Sequence, residues 1–302
     1  MKISLLSTCF GIFLIGCGGP AASDKPVIPG GDAAGGVTSM FAIVAGTLQG
    51  TFLTAVREPS VQKNFMQKIF GELFSFANAT ITSCTASVFS DTCVSGGKAA
   101  AYTDCTIAGT TKLFSGSVNL QYSDAGCAFT AAGQTVTRLS ELVRKITAYE
   151  TFTTSTGART DYRGTVFGGG TRLTKTAGGY ELNVLGFNKF YTSQVGAYTH
   201  DVSLKTTANI TVSDPTATSI TFTGGSLEVV DSTHKFVATY VPTNVLINYS
   251  TCCYPASGSL AVTYTAGSLT GSAGISFSST SCGLATLTVN GDTSAVPLWG
   301  CQ

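Results

Sequence analysis

The strongest constraint on the fold is a two-residue alternation of apolar and polar side chains, which starts near Ala79 and continues through the chain. Residues 117–122 (SVNLQY) show it clearly, and it recurs in several later segments, among them residues 202–212 and 260–264. Because successive side chains of a β-strand point to opposite faces, the pattern predicts strands with one buried and one exposed face. Such strands form antiparallel sheets, and the short links between them leave no room for helical crossovers.

Turn residues divide the alternating segments. Gly224-Gly225 and Asn290-Gly291 are typical of tight turns. Residues 136–151 (VTRLSELVRKITAYET) mix a helical with a two-residue period, and we predict a strand there. The fold is therefore predicted to be mainly β: a large twisted antiparallel sheet or an open barrel, with one or two N-terminal helices packed on it.

Two helices are predicted ahead of the strands. The first covers residues 40–56, and the second begins at Pro59, which fits the first turn of a helix. In the second, Phe65, Ile69 and Leu73 recur at four-residue spacing and give the helix a wide apolar face. We expect this face to pack on the sheet; contact with a membrane surface or a partner is the alternative, although the opposite face is poor in Lys and Arg.

The N-terminus has the organisation of an export signal. Lys2 precedes an apolar stretch, residues 3–15, that is shorter than the roughly 20 residues of a membrane-spanning helix. The stretch ends in the sequence LIGC at residues 14–17, which resembles the lipobox of bacterial lipoproteins. This resemblance implies cleavage before Cys17 and a diacylglyceryl thioether on its sulfur. An ordinary secretory signal with a chance cysteine is the alternative.

The resemblance divides the chain into three parts. Residues 1–16 are the signal peptide, and residues 17–37 are the lipidated cysteine followed by a tether too rich in Gly, Pro and Ala to fold. Residues 38–302 form the folded region, as one unit or as two sub-domains, 38–195 and 196–302. By the same resemblance, Gly18 after the cysteine favours the outer membrane, so we expect a lipid-anchored protein of the cell envelope.

The cysteines agree with export. Of the ten cysteines, Cys9 lies in the signal peptide and Cys17 carries the lipid. The other eight form two sets and are predicted to make disulfides within each set. Zinc is the alternative, but neither set has the close cysteine pairs, often joined by histidine, of zinc sites. The two sets are Cys84, Cys93, Cys105 and Cys127, and Cys252, Cys253, Cys282 and Cys301.

Four cysteines can pair in three ways, and we favour one arrangement for each set. In the first, nested bridges Cys84–Cys127 and Cys93–Cys105 would follow a hairpin. In the second, the adjacent Cys252 and Cys253 would project to opposite faces of a strand, which favours Cys253–Cys282 and Cys252–Cys301. A bridge between Cys252 and Cys253 themselves is the alternative.

No segment carries a recognisable catalytic, metal or cofactor motif. His200 and Asp201 are neighbours, but in a strand their side chains point to opposite faces and cannot pair. The triple glycine at residues 168–170 precedes another predicted strand rather than a helix, so a bend or bulge is favoured over a phosphate site. We therefore expect no enzyme activity, no cofactor and no metal site.

Composition narrows the partners further. Only 11% of the residues are charged and the net charge is +1, so nucleic acid, which needs clustered cations, is not an expected partner. The expected function is that of a membrane-anchored, disulfide-stabilised protein with a non-catalytic binding or structural role and a protein partner. The alternatives are a carrier of lipid or another apolar ligand in an open barrel, and an enzyme whose site the sequence does not reveal.

Overall fold

The computed structural model describes residues 81–107, 113–147, 150–193, 199–213, 219–233, 235–248 and 255–297. Within these ranges the chain forms strands and no helix. The predicted helices at residues 40–56 and after Pro59 lie outside the described residues. The strands are β1 (Ile81–Ser83), β2 (Ala86–Val94), β3 (Gly97–Ile107), β4 (Leu113–Tyr122), β5 (Thr135–Thr147), β6 (Glu150–Ser155), β7 (Arg159–Thr160), β8 (Val166–Phe167), β9 (Gly170–Thr176), β10 (Gly179–Ser193), β11 (Thr199–Ala208), β12 (Ile210–Ser213), β13 (Ser219–Thr223), β14 (Ser226–Asp231), β15 (Phe236–Asn248), β16 (Pro255–Ala266), β17 (Leu269–Phe277), β18 (Leu284–Val289) and β19 (Asp292–Pro297).

Seventeen of the described strands form one sheet, and β7 and β8 form a small separate pair. From β2 to β6, and again from β15 to β19, each strand pairs antiparallel with the next along the chain. Between these two runs, β10 pairs with β6, β9, β11 and β12, and β15 pairs with β13 and β14. Strands β10 and β11, on either side of residue 195, pair along six residues. The prediction of a large antiparallel sheet is confirmed, including the strand predicted for residues 136–151, which forms β5 and the start of β6.

The core lies on one face of this sheet, which we call the inner face. Buried residues of β9–β19, together with Tyr122 of β4 and Val136 of β5, contribute to it, and their side chains are at most 9% exposed. In β15 the buried positions alternate with more exposed ones, as the two-residue period predicts. The opposite surface is called the outer face. Typical inner-face residues are Leu173, Leu182, Leu204, Ile210, Phe222, Tyr240, Leu260, Ile275 and Leu287.

An insertion interrupts one strand position of the sheet. Strands β6 and β9 run in the same direction, and both pair with β5 on one side and β10 on the other. They therefore occupy a single strand position, and residues 156–169 leave the sheet between them. We call these residues the strap; its small β7–β8 hairpin is joined by the pair Arg159–Phe167.

A second irregularity explains a wrong prediction. Gly224 and Gly225 do not form a hairpin turn, because β13 and β14 run in the same direction and both pair with β15. The glycines lie at the break between these strands, where the amide of Gly224 donates to the carbonyl of Pro242 at 2.8 Å. Pro242 has no amide hydrogen, so it fits a strand at a point where its neighbour is irregular. Strand β15 is thus continuous through Pro242.

The predicted turn at Asn290-Gly291 is confirmed. These two residues connect β18 to β19, and Val289 pairs with Asp292 directly before and after them. Both have positive φ angles, 54° and 93°, as a two-residue hairpin turn requires. The turn keeps the register of the last hairpin free of shifts along six residue pairs.

Candidate functional site

The first set of cysteines forms two disulfides in the structure. Cys84 is bonded to Cys105, and Cys93 to Cys127, with Cα–Cα distances of 4.0 and 5.8 Å. All four cysteines therefore pair within their own set, as predicted. The nested pairing, Cys84 with Cys127 and Cys93 with Cys105, is wrong.

Strand register explains the observed pairing. Ser83 of β1 pairs with Thr106 of β3. Because the two strands are antiparallel, Cys84, which follows Ser83, lies opposite Cys105, which precedes Thr106. Cys93 lies instead beside the β2–β3 turn, where Val94 pairs with Gly97.

The partner of Cys93 comes from the loop after β4. The amide of Gly96 donates to the carbonyl of Ala125 at 2.9 Å, which holds this loop against the β2–β3 turn and places Cys127 near Cys93. The sequence could not reveal this because the approach depends on tertiary hydrogen bonds.

The second set is described only in part. Cys282 is disulfide-bonded and exposed on the turn before β18. Cys252, Cys253 and Cys301 lie outside the described residues, as does the lipidation residue Cys17. The pairings predicted for this set therefore stay predictions.

The strap is built around one buried carboxylate, that of Asp161. Its side chain is 0% exposed. One oxygen accepts hydrogen bonds from the backbone amides of Arg163 and Thr165, at 2.9 and 2.8 Å. The other oxygen accepts from Nε of Arg163 at 2.8 Å. Because buried carboxylates need such partners, Asp161 fixes the conformation of the hairpin tip.

Ionic contacts attach the strap to the outer face. Arg163 also bonds Oε1 of Glu228 on β14, at 3.2 Å, and Lys205 on β11 lies 3.5 Å from the same oxygen. Burial lowers the pKa of Arg163, but the hydrogen bonds to Glu228 and Asp161 outweigh it and raise the pKa above its usual value. Phe167 is 1% exposed, and Nζ of Lys205 lies 5.0 Å from the centre of its ring. The strap thus covers β11 and β14 with both charged and apolar contacts.

A further ion pair lies at the start of the strap. Arg159 contacts Oδ2 of Asp201 at 2.9 Å, and its guanidinium stacks over Phe190 at 4.4 Å. The partner of Asp201 is thus an arginine of the strap. The amide nitrogen of the Asn188 side chain donates to the carbonyl of Gly157 at 2.8 Å and completes the attachment.

The triple glycine lies where the strap returns to the sheet. A Cβ added to Gly170 would be 2.4 Å from the carbonyl oxygen of Arg138, and one added to Gly186 would be 2.2 Å from the amide nitrogen of Gly168. The register of β9 and β10 shifts at the same point. The prediction of a bulge is confirmed.

We expect Asp161→Ala to loosen the strap. The substitution removes the acceptor of two partly buried backbone amides and of Nε of Arg163, at a cost of about 1–3 kcal/mol, while the contact of Arg163 with Glu228 remains. Hydrogen exchange should show lower protection for the amides of Arg163 and Thr165 but unchanged protection in β16. Asp292→Ala, which removes an exposed carboxylate, is the control. Unchanged exchange at Thr165 would show that Asp161 does not hold the strap.

Two ionisable side chains interact at the other end of the sheet. Burial lowers the pKa of Arg138 to about 10, with the nearby Tyr102 partly opposing the shift. Burial also raises the pKa of Tyr102, and the positive charge of Arg138 opposes this shift. Arg138 pairs across strands with Leu120, which packs against the core, so its side chain belongs to the inner face. A half-buried cation thus lies on the inner face beside Tyr102.

The outer face of β15–β19 carries no charged side chain, and no other part of the described chain covers it. The register of β16, β17, β18 and β19 contains no shift, so their outward side chains form regular rows. One row consists of Thr239, Thr263 and Ser272, and another of Ser276, Thr286 and Ala295. All but Thr239 in these two rows are exposed. We call the outward residues of β15–β19 the neutral face.

This surface was not identified from the alternation alone, although the sequence contains a signal for it. Between Lys235 and Asp292 the chain has no Asp, Glu, Lys, Arg or His. The low charge of the whole chain does not by itself reveal that charge is absent from one long segment. This segment forms β15, β16, β17, β18 and the turn before β19, so its lack of charge becomes a continuous uncharged surface.

The described residues contain no group of three or more His, Cys, Asp or Glu side chains that could hold a metal ion. They also contain no helix that is long and apolar enough to cross a membrane. No protein-family model matches the chain, and neither a curated protein nor a solved structure matches it.

Proposed function

We propose that this protein is a bacterial lipoprotein, anchored through Cys17 in the cell envelope, that binds other molecules with its outer surface and catalyses no reaction. The lipid and the residue after it, Gly18, favour the outer membrane. The disulfides and the large antiparallel sheet give a durable scaffold in an oxidising compartment, where such bonds persist.

The filled inner face carries this proposal. Leu173, Leu182, Leu204, Tyr240 and Leu260 are each 0% exposed. A cavity large enough for an apolar ligand would leave accessible area on the side chains around it. This part of the sheet therefore has no room for such a ligand, which leaves the strap and the outer face for contact with partners.

A carrier of lipid or another apolar ligand is the second candidate. A sheet this wide must twist, and sheets of more than about ten strands tend to curl, so an open barrel with a groove at one end is compatible with the strand order. Arg138 favours this candidate because it lies half-buried on the inner face, where burial lowers its pKa. Lys189 does so too, because it is only 3% exposed and neighbours Phe187 and Val202. Cations at these positions could neutralise the headgroup of an anionic lipid.

Native mass spectrometry of the detergent-extracted full-length protein separates the two candidates. The anchor is covalent and stays in the protein mass, whereas a carried lipid adds a removable mass. We expect no removable lipid.

A stoichiometric lipid that is lost in Arg138→Gln, but retained in the control Arg172→Gln at an exposed position of β9, would favour the carrier and contradict our proposal.

A further inference from the structure

The two halves of the outer face differ in how they are covered. Over β10, β11 and β14 the strap covers the sheet and brings its own charges, Arg159, Asp161 and Arg163. Over β15–β19 none of the described residues forms a comparable cover. Thr263, Ser272 and Thr286 are exposed in the middle of their strands there.

The chemistry of the neutral face excludes most kinds of partner. It has no cation for a phosphate or an anionic lipid headgroup. It also has no outward aromatic ring on which a sugar could stack, because Tyr240 and Tyr264 are buried on the inner face. Small Thr, Ser, Ala and Gly side chains suit close contact with another regular, uncharged β-surface, since two sheets pack face to face about 10 Å apart.

We propose that the neutral face binds the neutral face of a second copy of this chain in a two-fold symmetric dimer. A second copy offers the same uncharged rows, so no charge is buried in the contact, and an isologous contact closes on itself. The exposed apolar side chains of Val241 and Leu284, at 37% and 43%, lie on the same face and would be covered. The second copy is then the partner in the surface-binding role proposed above, and the dimer proposal rests on that role.

The size of the face predicts a weak dimer. Five strands about 4.8 Å apart, with about five residues each at about 3.3 Å, give about 400 Å² of flat area per copy. Two copies together bury about 800 Å², which is below the roughly 1,200 Å² of stable complexes and within the range of weak, transient contacts. Anchoring both copies to one membrane raises their effective concentration and allows such a weak contact to form.

Sedimentation velocity of the full-length protein in mild detergent tests the proposal. We expect a dimer that dissociates on dilution in the micromolar range. Thr263→Lys and Thr263→Glu should each raise the dimer dissociation constant at least about tenfold, because like charges then face each other across the two-fold axis. Thr160→Lys, at an exposed position of the strap, should leave it unchanged.

Mixing the two Thr263 variants provides the decisive control. Opposite charges should restore the dimer, which a variant that merely weakens folding would not do. If either variant fails to fold, the pair Ser272→Lys and Ser272→Glu replaces it. A monomeric wild type, or a dimer indifferent to charge at Thr263 and Ser272, would overturn the proposal. Either result leaves a fatty-acid label on Cys17 unaffected, so failure of the dimer is distinguishable from failure of the anchor.

Discussion

Cys17→Ser should abolish lipidation and leave a precursor that retains residues 1–16. The chemistry is specific because the diacylglyceryl group is transferred to a thiol, and cleavage follows that transfer. Each buried methylene of an acyl chain contributes about 0.8 kcal/mol to membrane binding, so loss of two or more chains removes the anchor altogether. Metabolic labelling with a radioactive fatty acid and the intact mass of the protein measure both effects.

Cys9→Ser is the matched control for this experiment. Cys9 is also a signal-peptide cysteine, but it lies within the apolar stretch and not at its end. We expect normal labelling and normal cleavage in this variant. Equal label on the Cys17 and Cys9 variants would refute the lipoprotein assignment and leave an ordinary secretory signal.

Gly258→Ala should cause a large loss of stability, about 3 kcal/mol. Gly258 has a φ of 91°, and an added Cβ would lie 2.2 Å from the carbonyl oxygen of Asn244. Overpacking costs about 1–3 kcal/mol and a left-handed conformation about 1–2 kcal/mol more. The obstacle is backbone of the neighbouring strand β15, so no side-chain rotation can relieve it. The midpoint of chemical denaturation, at unchanged m-value, measures the loss.

Two other glycines separate these contributions. Gly267 has a φ of 65° but open space around its Cβ position, so Gly267→Ala should cost only the conformational part, about 1–2 kcal/mol. Gly178 has open space and no positive φ, so Gly178→Ala should have little effect. If Gly258→Ala were no worse than Gly267→Ala, the close approach of β15 and β16 at Asn244 would not be real.

The alternation of side chains predicted the strands well because it reports a local property. In β15, Phe236, Ala238 and Tyr240 face the core for the same reason that they alternate in the sequence. The Asn290-Gly291 turn was equally readable, since its positive φ angles depend on only two residues. Gly224-Gly225 has a similar sequence but does not form a turn. It lies at the break between β13 and β14, and this break is visible only because both strands pair with β15.

The candidate surfaces depended more on long-range contacts. The strap was not predicted, because its departure between β6 and β9 becomes visible only when both strands pair with β5 and β10. Its ion pairs join residues far apart in the chain, such as Arg163 and Glu228. The neutral face had a sequence signal, the charge-free segment between Lys235 and Asp292. Nothing in the sequence indicated that this segment would form the uncovered part of the outer face.

Residue type and spacing were enough to predict the strands, the alternation of buried and exposed positions along them, and the grouping of Cys84, Cys93, Cys105 and Cys127. Which of these cysteines are bonded to each other depends on long-range contacts. Register placed Cys84 opposite Cys105, and a hydrogen bond from Gly96 to Ala125 brought Cys127 to Cys93. The physical reason is that side-chain alternation is set within a strand, whereas register and loop docking are set by backbone hydrogen bonds between segments distant in the chain.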